Sequence, residues 1–165
     1  MSIRIRSAVS AVTLAVLPMA ASWAGDLCPS VRERAAFHVR LLQTELMVAA
    51  LSCGRPEYVG LYNAFVERSR PELVGHARVL KSYFARQYGA GRLTRLDAFV
   101  TDIANQASHR SMASPEFCAS AGPLLASVAE AQPEQVAELS ALQLFAQEFR
   151  VEGCKAPVRH ARTIP

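Results

Sequence analysis

Apolar residues recur at helical spacing along this chain from Ser30 to Phe149, and no stretch sustains the period-two alternation of a half-buried strand. Ser30-Val31-Arg32-Glu33 reads as a capping box, in which the serine hydroxyl accepts from the Glu33 backbone and the glutamate reaches back. A helix is predicted from there to Cys53, with Gly54 supplying the left-handed stop. From Leu46 to Leu51 this helix is apolar all round, the mark of a central, buried element. Pro56 suits the first turn of the next helix, whose stripe is Tyr58, Leu61, Tyr62 and Phe65. Ser69-Arg70-Pro71 breaks or kinks that arm, and Leu73, Ala77, Leu80 and Phe84 continue it to Tyr88-Gly89.

Thr94-x-x-Asp97 has the form of a second capping box, and Leu96, Phe99, Val100, Ile103 and Ala107 follow on one face. Ser114-Pro115-Glu116 opens a helix carrying Phe117, Ala121, Leu124, Leu125 and Val128, which Gly122-Pro123 should kink. Pro133 restarts helix with Val136, Leu139, Leu142, Ala146 and Phe149 inward, and Gly153 ends the folded part. The expected fold is all-α: a single disulfide-stapled helical bundle of four to six helices, with two arms kinked at prolines.

The N-terminus changes the setting. Arg4 and Arg6 precede the apolar run Ala8–Ala21, and Ser22-Trp23-Ala24 places small residues at the cleavage positions. That order is that of a secretory signal peptide. The run is shorter than the roughly 20 residues a spanning helix needs, and Pro18 interrupts it. Asp26 and Leu27 before Cys28 argue against lipidation, and Ile5 between the arginines argues against a twin-arginine signal. Residues 1–24 are therefore read as a signal peptide, 25–154 as the bundle domain and 155–165 as a disordered basic tail. The expected location is the periplasm or outside, with no transmembrane segment after cleavage.

Formal charge is +4, but it sits at the ends, on Arg4 and Arg6 and on Lys155, Arg159 and Arg162. The body Gly25–Cys154 is close to neutral, which excludes the clustered basic surface of a nucleic-acid-binding domain. In an oxidising compartment Cys28, Cys53, Cys118 and Cys154 can pair in three ways. One helix from Ser30 to Cys53 separates its ends by about 35 Å, whereas a disulfide needs Cα atoms about 4.4–6.8 Å apart. This rules out Cys28 with Cys53. Two pairings remain. Two descending arms flanking an ascending helix over 94–110 favour Cys53 with Cys118 and Cys28 with Cys154 over the crossed alternative.

Chemistry is sparse. No Cys-x-x-Cys is present, so thioredoxin-like, paired zinc-ligand and haem-attachment motifs are not indicated. His38, His76, His109 and His160 are scattered, with no His-Glu-x-x-His, and no metal or cofactor is expected. Gly89-Ala90-Gly91 lacks the third glycine of a dinucleotide fingerprint and follows a helix, so it reads as a cap and turn. Asp102 and His109, seven residues apart, could share a helix face near Ser108 and Ser111. Glu45 precedes the all-apolar run, and a buried carboxylate must be paired or hydrogen-bonded. Thr44, Asn63 and Asn105, or an arginine such as Arg86, are candidate partners. The group would form either a structural polar network or a ligand site in the bundle core. Tyr58, Tyr62, Tyr83 and Tyr88 bracket the kinked arm, as core or as an aromatic binding edge.

At Leu42–Gly54 (LQTELMVAALSCG), Tyr62-Asn63-x-Phe65, Phe99-Val100-Thr101, Ala104-Asn105-x-Ala107-Ser108 and Phe117-Cys118 the chain resembles a family of small exported bacterial helical proteins of unassigned activity. The resemblance implies export and a disulfide, and carries over no catalytic residue or cofactor. The expected function is a non-enzymatic binding or interaction protein of the cell envelope, with an envelope protein or small ligand as partner. One alternative is a small hydrolase-like periplasmic enzyme using Glu45 or Asp102/His109. Another is a small-ligand carrier with a pocket in the bundle core.

Overall fold

The structure is a computed structural model and describes residues 28–151. Helix α1 spans Val31–Ser52 and begins as expected. The Glu33 N–H donates to Ser30 Oγ (3.3 Å), and the Ser30 N–H donates to Glu33 Oε2 (2.8 Å). Gly54, at φ 64°, stops the chain from continuing as helix. Helix α2 covers Pro56–Arg68 and α3 covers Arg70–Tyr88, so the first arm breaks at Ser69, just before Pro71. One 3₁₀ turn, Gly89–Gly91, leads into α4, Arg92–Ala113. Helix α5 is Glu116–Glu130, and a second 3₁₀ turn at Pro133–Gln135 leads to the short helices α6, Val136–Ala141, and α7, Leu144–Glu148. Among the described residues there is no strand, and no helix is long and apolar enough to cross a membrane.

Helix α1 packs against every other α-helix. Leu42, Leu46 and Ala49 are fully buried, and Val39, Leu41, Val48 and Ala50 nearly so. An apolar stretch surrounded on all sides can only be satisfied by such a position. The apolar run does not stay buried to its end: Leu51 is 76% exposed and Met47 is also at the surface. Leu51 lies in the last turn, beyond the wrap of the neighbouring helices. Truncating Leu42 or Leu46 to alanine is the kind of core loss that costs about 2–5 kcal/mol.

Cys53 and Cys118 are disulfide-bonded, their Cα atoms 5.6 Å apart, tying the end of α1 to the start of α5. The link closes a loop of 65 residues, worth about 4 kcal/mol if it acts by restricting the unfolded chain. Cys28 is also disulfide-bonded. The expected partner, Cys154, lies outside the described residues, as do the segments read as signal peptide (1–24) and basic tail (155–165), His160 included.

Two local expectations need correction. Helix α4 begins at Arg92 with Gly91 as N-cap and no side-chain cap, so Thr94 and Asp97 lie inside it. The glycine turn already hands over near-helical backbone at Gly91 and Arg92. Pro123 lies inside α5, and a 3₁₀ turn at Pro133–Gln135 follows that helix. Leu142 is 64% exposed rather than inward, because the chain breaks between α6 and α7 and resets the helical face.

Helices α2 and α5 meet closely at one point. The Tyr58 hydroxyl donates to the Cys118 carbonyl (2.8 Å), and Gly122 sits beneath the ring. A Cβ at position 122 would lie 2.5 Å from the Tyr58 hydroxyl oxygen. Gly122→Ala should therefore destabilise the fold by about 1–3 kcal/mol. Because the clash is chiefly with the hydroxyl, the cost should be smaller in a Tyr58→Phe background. A double-mutant cycle by urea unfolding checks this, and strict additivity would contradict the close approach.

Candidate functional site

Glu45 borders one concave region of the described surface, and Asp102, Tyr83 and Tyr88 line a second. A third holds none of the predicted site residues; Thr44, Asn63, Asn105 and His109 line none of the three. The first holds Glu45. Its carboxylate is largely buried on α1, 11% exposed, and Arg110 on α4 grips it with two bonds. Arg110 Nε donates to Oε1 (3.1 Å) and Nη2 donates to Oε2 (2.5 Å). A bidentate guanidinium satisfies a carboxylate in the geometry it prefers. Arg110 follows Ile103 and Ala107 at i, i+4, i+7, so it lies on the inward face of α4. Glu45 also borders a cleft of ≈210 Å³ with Phe117, Ser120, Leu124, Gln143 and Leu144.

The predicted network around Glu45 does not assemble. Thr44 is buried next to it in sequence, but Asn63 and Asn105 are exposed on α2 and α4. Arg86 is engaged elsewhere: its Nη2 donates to both Glu33 oxygens at 2.8 and 2.9 Å. Burial pushes the Glu33 carboxyl up, but the bonds from Arg86 and Ser30 and the Arg86 charge outweigh it and leave it below its usual range. Asp102 accepts from Gln106 one turn along the same helix (2.7 Å). His109 is exposed, and Ser111 donates to the Ser108 carbonyl. Among the described residues no group of three or more His, Cys, Asp or Glu side chains could hold a metal ion.

The second region is the largest of the three and was not foreseen as a unit. Phe37 of α1 is its hub. Tyr83 meets it edge-on at 5.1 Å and Phe99 at 5.2 Å, with Phe149 at 5.3 Å and Phe84 at 6.1 Å. Tyr88 stacks on Phe84 at 5.7 Å. Edge-to-face and offset pairs at these separations are mutually attractive. Rings from α1, α3, α4 and the segment after α7 thus form the wall of an open cleft of ≈480 Å³. Arg95 lies over the Tyr88 ring (5.5 Å), and Asp102, Gln106, Glu148 and Arg150 complete the rim. Burial raises the Tyr83 phenol, with the Tyr88 and Glu33 charges adding to it against Arg86.

Of the four tyrosines bracketing the first arm, only Tyr83 and Tyr88 reach this cleft. Tyr58 is buried against α5, and Tyr62 is half-buried beside Phe65. The third region is a notch of ≈270 Å³ between α3 and α4, lined by Lys81, Phe84, Ala85, Arg92, Leu93 and Leu96.

No protein-family model matches the chain, and no curated protein or solved structure is similar to it.

The ion pair makes a sharp expectation. Arg110→Leu leaves the Glu45 carboxylate buried without its partner. The cost should be about 1–3 kcal/mol, between the values for exposed and buried pairs because the Arg110 side chain is 39% exposed. Replacing both residues by leucine should restore part of that loss. If the double variant unfolds at lower denaturant than Arg110→Leu, the pair is a net source of stability and the desolvation argument is wrong.

Proposed function

We propose that the protein is an exported, non-enzymatic binding protein of the cell envelope, and that it recognises its partner through the aromatic cleft. The supporting observation is the convergence of six rings on one open cleft beside a stacked arginine. Aromatic side chains that line a concave surface next to placed polar groups are the usual make-up of a recognition site. The matching group on the partner is an aromatic or aliphatic moiety, carried by an envelope protein or a small amphiphile. The volume of ≈480 Å³ lies in the range of small-ligand sites, which keeps the carrier reading as the second choice. The enzyme reading draws less support: both Glu45 oxygens are held by Arg110, and Asp102 bonds to Gln106 while His109 stands exposed.

Export is part of the proposal. It rests on the signal-like N-terminus, on a disulfide suited to an oxidising compartment and on the resemblance to exported helical proteins.

The test uses anilinonaphthalene sulfonate, an aromatic anion, as probe. Ala98 lines the cleft but is exposed, so Ala98→Trp fills the space without touching the core. Wild type should bind the probe saturably, and Ala98→Trp should weaken it by about tenfold. Val74→Trp, at an exposed site on α3 away from the cleft, should leave binding unchanged. Equal binding by all three proteins would contradict the cleft as the recognition site. Intact mass of the protein from the envelope fraction should begin at Gly25, and a precursor-length mass would contradict export.

A further inference from the structure

The charge of the body Gly25–Cys154 is segregated in a way its near-neutral sum hides. From Leu73 to Leu96 there is no acidic residue, while Arg78, Lys81, Arg86, Arg92 and Arg95 are all present. From Ser111 to Phe149 there is no lysine or arginine, while Glu116, Glu130, Glu134, Glu138 and Glu148 are present. The first stretch is α3, the glycine turn and the start of α4, folded back on itself as a helical corner. Two acids border it: Glu33, which is taken by Arg86, and Asp97, exposed on α4 one turn after Leu93. Lys81, Arg92 and Arg95 make no ion pair among the described residues.

The corner also exposes apolar surface. Leu93 is 61% exposed and Tyr88 44% exposed, at the two sides of the glycine turn. Between the helices lies the notch, floored by Phe84, Ala85 and Leu96 and edged by Lys81 and Arg92, with no acid among its described residues. Arg92 Nη1 donates only to the Gly89 carbonyl, at 3.3 Å, and so holds its charge at the rim.

We propose that the α3–α4 corner docks the protein on an anionic phospholipid surface. The cationic rim faces the phosphate layer, and Leu93 and Tyr88 enter the headgroup–acyl boundary. The combination selects a bilayer over other anions. A basic patch alone would suit any polyanion, but an apolar notch beneath two unpaired cations matches a charged headgroup attached to a chain. Exposed tyrosine and leucine flanked by arginine and lysine are the side chains that settle at such a boundary. The notch shares Phe84 with the aromatic cleft, and Tyr88 of the corner lines that cleft as well. The inference does not require the cleft to bind a ligand and would stand if it bound nothing.

The experiment is co-sedimentation of the purified, disulfide-intact full chain with vesicles of phosphatidylethanolamine and phosphatidylglycerol in equal parts. Wild type is compared with Lys81→Glu/Arg92→Glu, Leu93→Asp and, as a control at the opposite end of the bundle, Arg55→Glu. All four positions are exposed, and thermal melting confirms that each variant folds. The double reversal should weaken vesicle binding by about tenfold or more. Leu93→Asp should weaken it too, and Arg55→Glu should match wild type. Comparing variants on the same vesicles removes any contribution from the N-terminal apolar run. Equal binding by wild type and the double reversal overturns the proposal, and so does an equal loss with Arg55→Glu, which would mark a bulk-charge effect. Self-association that the double reversal abolishes, without vesicle binding by wild type, would assign the corner to a second copy of the chain and also overturn it.

Discussion

A helix that is apolar on all sides has one stable place in a small protein, the middle. Helix α1 carries that constraint, and every other helix is arranged to satisfy it. Leu42 and Leu46 leave no surface to water, and each neighbour contributes its own apolar stripe toward them. Helices α3, α4 and α6 pack chiefly on α1, while α2 and α5 also pack closely on each other. The disulfide between Cys53 and Cys118 acts at the end of α1 where the wrap thins out, next to the exposed Leu51. Tyr58 over Gly122 closes the same end through a hydrogen bond to the Cys118 carbonyl.

The opposite part of α1 faces a different problem. Around Phe37 the neighbours are mostly rings, with Leu80 buried among them. The cleft opens where these rings meet. The same end of the bundle carries the acid-free helical corner. The proposed recognition cleft and the proposed docking surface thus lie side by side, joined by Tyr88 and Arg95.

What the sequence made legible was local or forced by length. The capping box at Ser30 and Glu33 and the stop at Gly54 are short-range signals, and both are present. The pairing of Cys53 with Cys118 followed from helix lengths and direction. The aromatic cleft was not legible, because its rings come from four separate segments and no spacing links Phe37 to Phe149. Arg110 carries a readable trace, a cation at helical spacing on the apolar face through Ile103 and Ala107, yet the candidate partners of Glu45 were Thr44, Asn63, Asn105 or an arginine such as Arg86. Only the packing shows that Arg86 lies against Glu33. Leu142 was misplaced for a related reason: periodicity assumes one continuous helix, and the break between α6 and α7 shifts the face.

The most direct test of α1 as the buried spine is native-state hydrogen exchange with the disulfides intact. The amides of Leu42–Ala50 should exchange only through global unfolding, with protection equal to the full unfolding free energy and the same denaturant dependence. Exchange of these amides through a smaller, local opening, while amides in α4 or α5 stay protected, would contradict the account. The bundle would then be held by its outer helices rather than by the one they surround.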